Sequence, residues 1–133
     1  MDKYANLTEN FKNYEFFSSA VINGKVVKHH VAFPFYERVL TMAVELQKVR
    51  DYIGKPIIVN SAYRTLEYNR YIGSSDGSYH IKCMAVDTKP IGYPLFKYYS
   101  ALLRLTVFNG YGYYRWKRFV HSDLRKEFLI FKS

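Results

Sequence analysis

Ser78-Tyr79-His80-Ile81-Lys82-Cys83-Met84-Ala85-Val86-Asp87 changes character half-way along. Gly77 and Ser78 open it as a loop, and Met84-Ala85-Val86 close it as an apolar run of the kind that forms a buried strand, with Asp87 at its end. A strand end and the loop leading into it can aim two side chains, His80 and Asp87, at one point. A third partner must come from elsewhere. Phe119-Val120-His121-Ser122-Asp123-Leu124 reads as a strand in which His121 and Asp123 share a face. Two imidazoles and a carboxylate suit Zn²⁺, which takes nitrogen and oxygen donors at about 2.0–2.2 Å and keeps an open position in catalytic sites. His80, Asp87 and His121 are therefore the expected metal ligands. Taken singly, such residues are more often hydrogen-bonded structural groups than ligands, and the spacing leaves that reading open.

Working outward, Val21-Ile22-Asn23-Gly24-Lys25-Val26-Val27 carries an Asn-Gly pair between apolar residues, which predicts a β-hairpin. His29 and His30 follow; neighbours on a strand point to opposite faces, so they read as surface or packing residues. Val39, Met42, Ala43, Leu46, Val49 and Ile53 recur at helical spacing between Pro34 and Gly54, which predicts an amphipathic helix. Lys55 to Ser61 reads as a buried strand, Thr65 to Ile72 as a short helix capped by Thr65, and Pro94 to Phe108 as a second main helix. Gly110 to Tyr114 and Phe119 to Leu124 read as paired strands joined through Arg115-Trp116-Lys117-Arg118, with Glu127 to Phe131 as a last strand. The expected fold is α+β, one domain over residues 1–133: a small, mostly antiparallel sheet carrying the site, packed against two main helices.

A chain of 133 residues that is 49% hydrophobic and 23% charged is globular and large enough to bury a core without staples. The net charge of +9 implies attraction to polyanions. No nucleic-acid motif of known spacing accompanies it, so no nucleic-acid partner is expected, and the carboxylates and anionic glycopolymers of a bacterial cell wall fit the charge equally well. Fourteen Tyr and ten Phe suit either a groove for sugars and peptides or an ordinary core. A single cysteine, Cys83, cannot form an internal disulfide. With no apolar leader and no run of about eighteen apolar residues, the expectation is cytoplasmic synthesis of a soluble monomer with no membrane partner.

Further motifs surround the decapeptide: Ser61-Ala62-Tyr63-Arg64-Thr65 with Glu67-Tyr68-Asn69 upstream, and Gly110-Tyr111-Gly112-Tyr113-Tyr114 leading into Phe119 to Asp123 downstream. Together with Ser78-x-His80 and Ala85-x-Asp87, in this order and across about Asn10 to Arg125, they resemble the zinc D-Ala-D-Ala carboxypeptidase family, in its small single-domain, endolysin-like branch. The resemblance implies a Zn²⁺-dependent peptidase that hydrolyses peptidoglycan stem or cross-link peptides, delivered to the wall by release, a partner or a virion. It implies that His80, Asp87 and His121 hold the metal, that Arg64 holds the substrate or polarises its carbonyl, and that Ser78 helps bind substrate. Tyr111, Tyr113 and Tyr114 are the candidates to line the groove, with Tyr113 taken as the substrate-binding one.

The pattern departs from better-known relatives at the general base. Where those carry a glutamate three residues before the last ligand, or a histidine two before it, this chain has Arg118 and Phe119. Asp123 then stands either as the catalytic base or as a carboxylate that orients a ligand imidazole. The departure also motivates an alternative: a catalytically inactive, metal-stabilised wall-binding or virion-associated domain.

Overall fold

The computed structural model describes residues 6–17, 19–28 and 35–131. The expectations for His29, His30 and Pro34 lie outside the described residues. After a short 3-10 turn at Asn13–Phe16, strands β1 (Ser19–Ile22) and β2 (Lys25–Lys28) pair as an antiparallel hairpin. Its turn holds Asn23 at φ 49° and Gly24 at φ 79°, both left-handed, as a two-residue hairpin loop that follows strand twist requires.

Helix α1 (Tyr36–Ile53) buries Val39, Met42, Ala43, Leu46 and Val49. It stops at Gly54, whose φ of 66° lets its N–H reach the Arg50 carbonyl at 3.0 Å. Strand β3 (Ile57–Ser61) follows, then helix α2 (Leu66–Tyr71), which Thr65 caps by accepting the Tyr68 N–H at 3.1 Å. Strand β4 (Ala85–Pro90), helix α3 (Leu95–Leu105), and strands β5 (Gly110–Tyr114), β6 (Phe119–Asp123) and β7 (Leu129–Phe131) complete the described chain. No described helix is long and apolar enough to cross a membrane.

The main sheet runs β3-β4-β6-β5-β7 and is antiparallel except for β7, which lies parallel to β5. The α+β expectation is met, with a mixed sheet. One expectation is corrected: β3 is an edge strand buried on one face only, with Ile57 and Val59 packed on the core and Ile58 exposed between them, because successive side chains alternate and the opposite face is uncovered. Val86, Thr88, Val120, Ser122 and Tyr111 occupy alternating buried positions on the three inner strands. Tyr98 of α3 reaches this layer, its hydroxyl 2.6 Å from Thr88 Oγ1, and packs with the α1 stripe into one core cluster.

The positions between them form the other face. Cross-strand pairing places Ser61, Asp87, His121, Gly112 and Phe131 in one row, and Ala85, Asp123, Gly110 and Leu129 in the next. Residues directly opposite each other in an antiparallel sheet hold their Cβ atoms about 5 Å apart. The register therefore makes Asp87 and His121 neighbours before any side chain is considered.

Candidate metal centre

His80 enters from the loop before β4. Its backbone N–H donates to Ser78 Oγ at 3.2 Å, its carbonyl accepts from Arg64 N at 3.2 Å, and its Nδ1 lies 2.7 Å from the Ala62 carbonyl. A carbonyl can only accept, so Nδ1 carries the proton and the Nε2 lone pair is free. That Nε2 lies 3.3 Å from Asp87 Oδ1. His121 is used the other way round. Its Nε2 donates to Asp123 Oδ2 at 2.8 Å, which turns Nδ1 toward Asp87 Oδ1 at 2.9 Å. One donor atom from each of His80, Asp87 and His121 lies within 4.8 Å of the other two. Two lone pairs and a carboxylate oxygen that converge this closely repel one another unless a cation or a proton sits among them, so the three residues fit a metal ion.

The electrostatics agree. Burial alone would raise the Asp87 carboxyl, but the neighbouring His121 and His80 imidazoles outweigh it and hold the group well below the usual carboxylate range. Burial would lower His121, but the carboxylates of Asp123 and Asp87 outweigh it and raise the imidazole. Without a metal, a proton on His121 is what reconciles the two carboxylates.

Behind His121, Asp123 has no solvent exposure and is held from two sides. Arg125 donates from Nε to Oδ1 at 2.8 Å, from Nη2 to Oδ2 at 2.7 Å and from its backbone N–H to Oδ1 at 3.1 Å. Burial would raise Asp123, but the Arg125 and His121 bonds keep it well below its usual value. The Arg125 guanidinium lies 4.8 Å from the Tyr79 ring centre and 5.5 Å from that of Phe131. Arg125 was not anticipated from the sequence. Its signal was the alternation His121-x-Asp123-x-Arg125, which carries the strand period one step past the metal motif.

The centre opens into a cleft of about 690 Å³ lined by His80, Asp87, His121, Arg64, Ser78 and Tyr114, among others. Arg64 reaches Asp87 Oδ2 at 3.3 Å, and its other donors meet Ser61 Oγ at 3.0 Å and Asn69 Oδ1 at 3.4 Å. Ser78 lines the cleft and also serves its own turn by accepting the His80 N–H. Tyr113 is not brought into the cleft. It pairs with Val120 on the core side and stacks on Tyr99 with ring centres 5.1 Å apart, so the cleft position falls to Tyr114. Of the two positions that lack the expected base, Arg118 is exposed in the β5–β6 turn and Phe119 stacks on Tyr114 at 4.5 Å.

Cys83 stands outside the ligand cluster among the described residues. It adopts φ 55°, the left-handed region that glycine favours, and burial pushes its thiol up to about 12.

No curated protein matches the chain. A comparison with known families matches residues 9–123 to Peptidase M15. That span runs from the segment before the first 3-10 turn to the carboxylate behind His121 and includes all three candidate ligands. The chain belongs to the peptidase M15 family, the zinc D-Ala-D-Ala carboxypeptidase-like metallopeptidases.

Proposed function

We propose that the chain is a zinc-dependent peptidase that hydrolyses stem or cross-link peptides of peptidoglycan. The observation that carries this reading is the convergence of His80 Nε2, Asp87 Oδ1 and His121 Nδ1 at the floor of an open cleft, in a chain of the M15 family. His80, Asp87 and His121 would hold the zinc. When bound there, zinc would supply Lewis-acid chemistry that activates water and polarises a peptide carbonyl.

The chain's own residues divide the remaining work. Arg64, half-sunk beside Asp87, offers a fixed guanidinium where a substrate carbonyl gains negative charge. Ser78 and Tyr114 flank the bound peptide. Asp123 is assigned the orienting role and not that of proton acceptor, since both its oxygens are occupied by Arg125 and His121 in a site closed to solvent. Replacing His80 or His121 by alanine is expected to abolish both zinc binding and wall degradation, read by elemental analysis and by mass spectrometry of digested walls. Full activity in the double variant would sink the proposal.

One observation favours a second reading. Among the described residues lining the cleft, the only carboxylate is Asp87 and the only imidazoles are His80 and His121, so no further group there accepts a proton from water. A metal-stabilised, inactive wall-binding module would look the same. Turbidity of purified walls separates the two: binding without solubilisation, with zinc retained, selects the inactive module.

A further inference from the structure

The β5–β6 turn, Arg115-Trp116-Lys117-Arg118, stands on the cleft wall, and of its four residues only Lys117 lines the cleft. Trp116 is the only tryptophan in the chain and is 87% exposed, whereas indoles are highly buried on average. Arg115 packs its guanidinium 5.1 Å from the indole centre. Arg115, Lys117 and Arg118 are all exposed, and none forms an ion pair or hydrogen bond with a described residue. The turn is nonetheless firmly mounted. Tyr114 and Phe119 at its base stack 4.5 Å apart with planes 11° from parallel, and both line the cleft, as does Lys117. Arg118 closes the turn in the left-handed region at φ 58°, which non-glycine residues adopt at a cost.

We infer that this turn is a binding tip for an anionic polysaccharide strand, with the Trp116 indole under a sugar ring and Arg115 and Arg118 against its acidic groups. The inference rests on the peptidoglycan reading and extends it from the peptide to the glycan. The apolar C–H face of a pyranose matches the electron-rich face of an indole, and three cations with no acidic partner among the described residues are available to acidic groups on the strand. Lys117 belongs to both surfaces, so a polymer whose peptide lies in the cleft brings its glycan to the tip. A lipid bilayer fits less well. The tip offers one indole between cations, while the neighbouring Tyr114 and Phe119 rings face the cleft instead of forming an insertable apolar cluster.

Because the chain has one tryptophan, its fluorescence excited at the red edge, where the fourteen tyrosines do not absorb, reports on the tip alone. The test uses the zinc-loaded full chain with wall glycan strands stripped of peptide, so that no cleavable bond is present. One batch retains covalent phosphate polymers and a second has them removed. A blue shift and about threefold or greater protection from acrylamide quenching are expected. Trp116→Ala and the pair Arg115→Gln with Arg118→Gln are each expected to weaken sedimentation with the strands by about tenfold, while zinc content and cleavage of a short soluble stem peptide stay unchanged. Trp116→Phe should retain most of the binding. Protection by both batches assigns the site to the glycan backbone, and protection only by the first assigns it to the phosphate polymer; either supports the inference. Unchanged binding by Trp116→Ala, or protection only by anionic vesicles or by nucleic acid, overturns it. Loss of peptide cleavage in the wild type with tip binding intact would instead count against the peptidase reading alone.

Discussion

At the scale of single residues, the centre is decided by which nitrogen of each imidazole carries a proton. Ala62 sets His80 through a backbone carbonyl, a partner no side-chain substitution removes. His121 depends on a side chain, and that side chain depends on another: Arg125 fixes Asp123, which takes the proton at Nε2 and leaves Nδ1 for the metal. Carboxylates that hold a ligand imidazole in this way typically contribute about 10- to 100-fold in metal affinity. Asp123→Asn and Arg125→Gln are each expected to weaken zinc binding by about that factor, measured by competition with a chromophoric chelator. Their double variant should lose little more than either alone, because both act through one contact. Removing Arg125 also leaves Asp123 buried with one partner fewer, at a stability cost of about 3 kcal/mol. The nitrogen shifts of His121 distinguish positioning from bulk destabilisation: a folded Arg125→Gln protein with the wild-type tautomer and unchanged zinc affinity would remove Arg125 from the site.

At the scale of elements, strand register converts residue type into a site. The period of two in Phe119 to Leu124 was enough to put His121 and Asp123 on one face, and the Asn-Gly pair, the Thr65 cap and the Gly54 stop each marked an element end from local chemistry alone. What the sequence did not disclose depended on which strand lay beside which. Tyr113 and Tyr114 differ by one step along β5, and only the pairing of Tyr114 with Phe119 and of Gly112 with His121 decides which ring meets the cleft. Lys55 to Ser61 reads as buried because its centre is apolar, yet the place of the resulting strand, Ile57–Ser61, at the sheet edge follows from long-range order. The glycines of β5 were similarly silent. A side chain at Gly112 would meet the Phe131 ring, and one at Gly110 would fall on the Asp123 carboxylate and Arg125 Nε. Gly110→Ala is therefore expected to cost about 1–3 kcal/mol of stability and to weaken zinc binding along with it, since the methyl group displaces the pair that orients His121. Gly77→Ala, whose new carbon would meet Ser75 Oγ at an ordinary 3.5 Å, is the control. Thermal melts with and without zinc check both, and a Gly110→Ala protein with normal affinity would mean that the Asp123–Arg125 pair tolerates displacement.

At the scale of the whole molecule, a metal held as proposed would compete with the proton for His121, and stability should record the competition. In the zinc-free protein the His121 pKa is raised above its ordinary 6.5. Its contribution is thus fully present below the unfolded value and is lost as pH rises through the folded one. Asp87 and Asp123 are depressed below their ordinary 3.8, so their contributions are present above that value and are lost only as pH falls toward the folded ones. The zinc-free fold should accordingly be firmest in mildly acidic solution and weaken toward alkaline pH, where nothing separates the Asp87 carboxylate from the lone pairs of His80 Nε2 and His121 Nδ1 beside it. Zinc bound at the proposed site would reverse the trend, because it would take the place of that proton and bind only the neutral imidazole. With zinc about a thousandfold above its dissociation constant, the gain is about 4 kcal/mol, or roughly 10–20 °C in melting temperature for a chain of this size. Stripping the metal with a chelator is therefore expected to lower the melting temperature by an amount that grows steadily from about pH 5.5 to about pH 8. The measurement is a pair of melts at each pH, with and without chelator, repeated on Asp87→Ala. Removing a ligand should erase both the zinc gain and its pH dependence, and a gap that stays constant or shrinks with pH would show that His121 is not where metal and proton exclude each other.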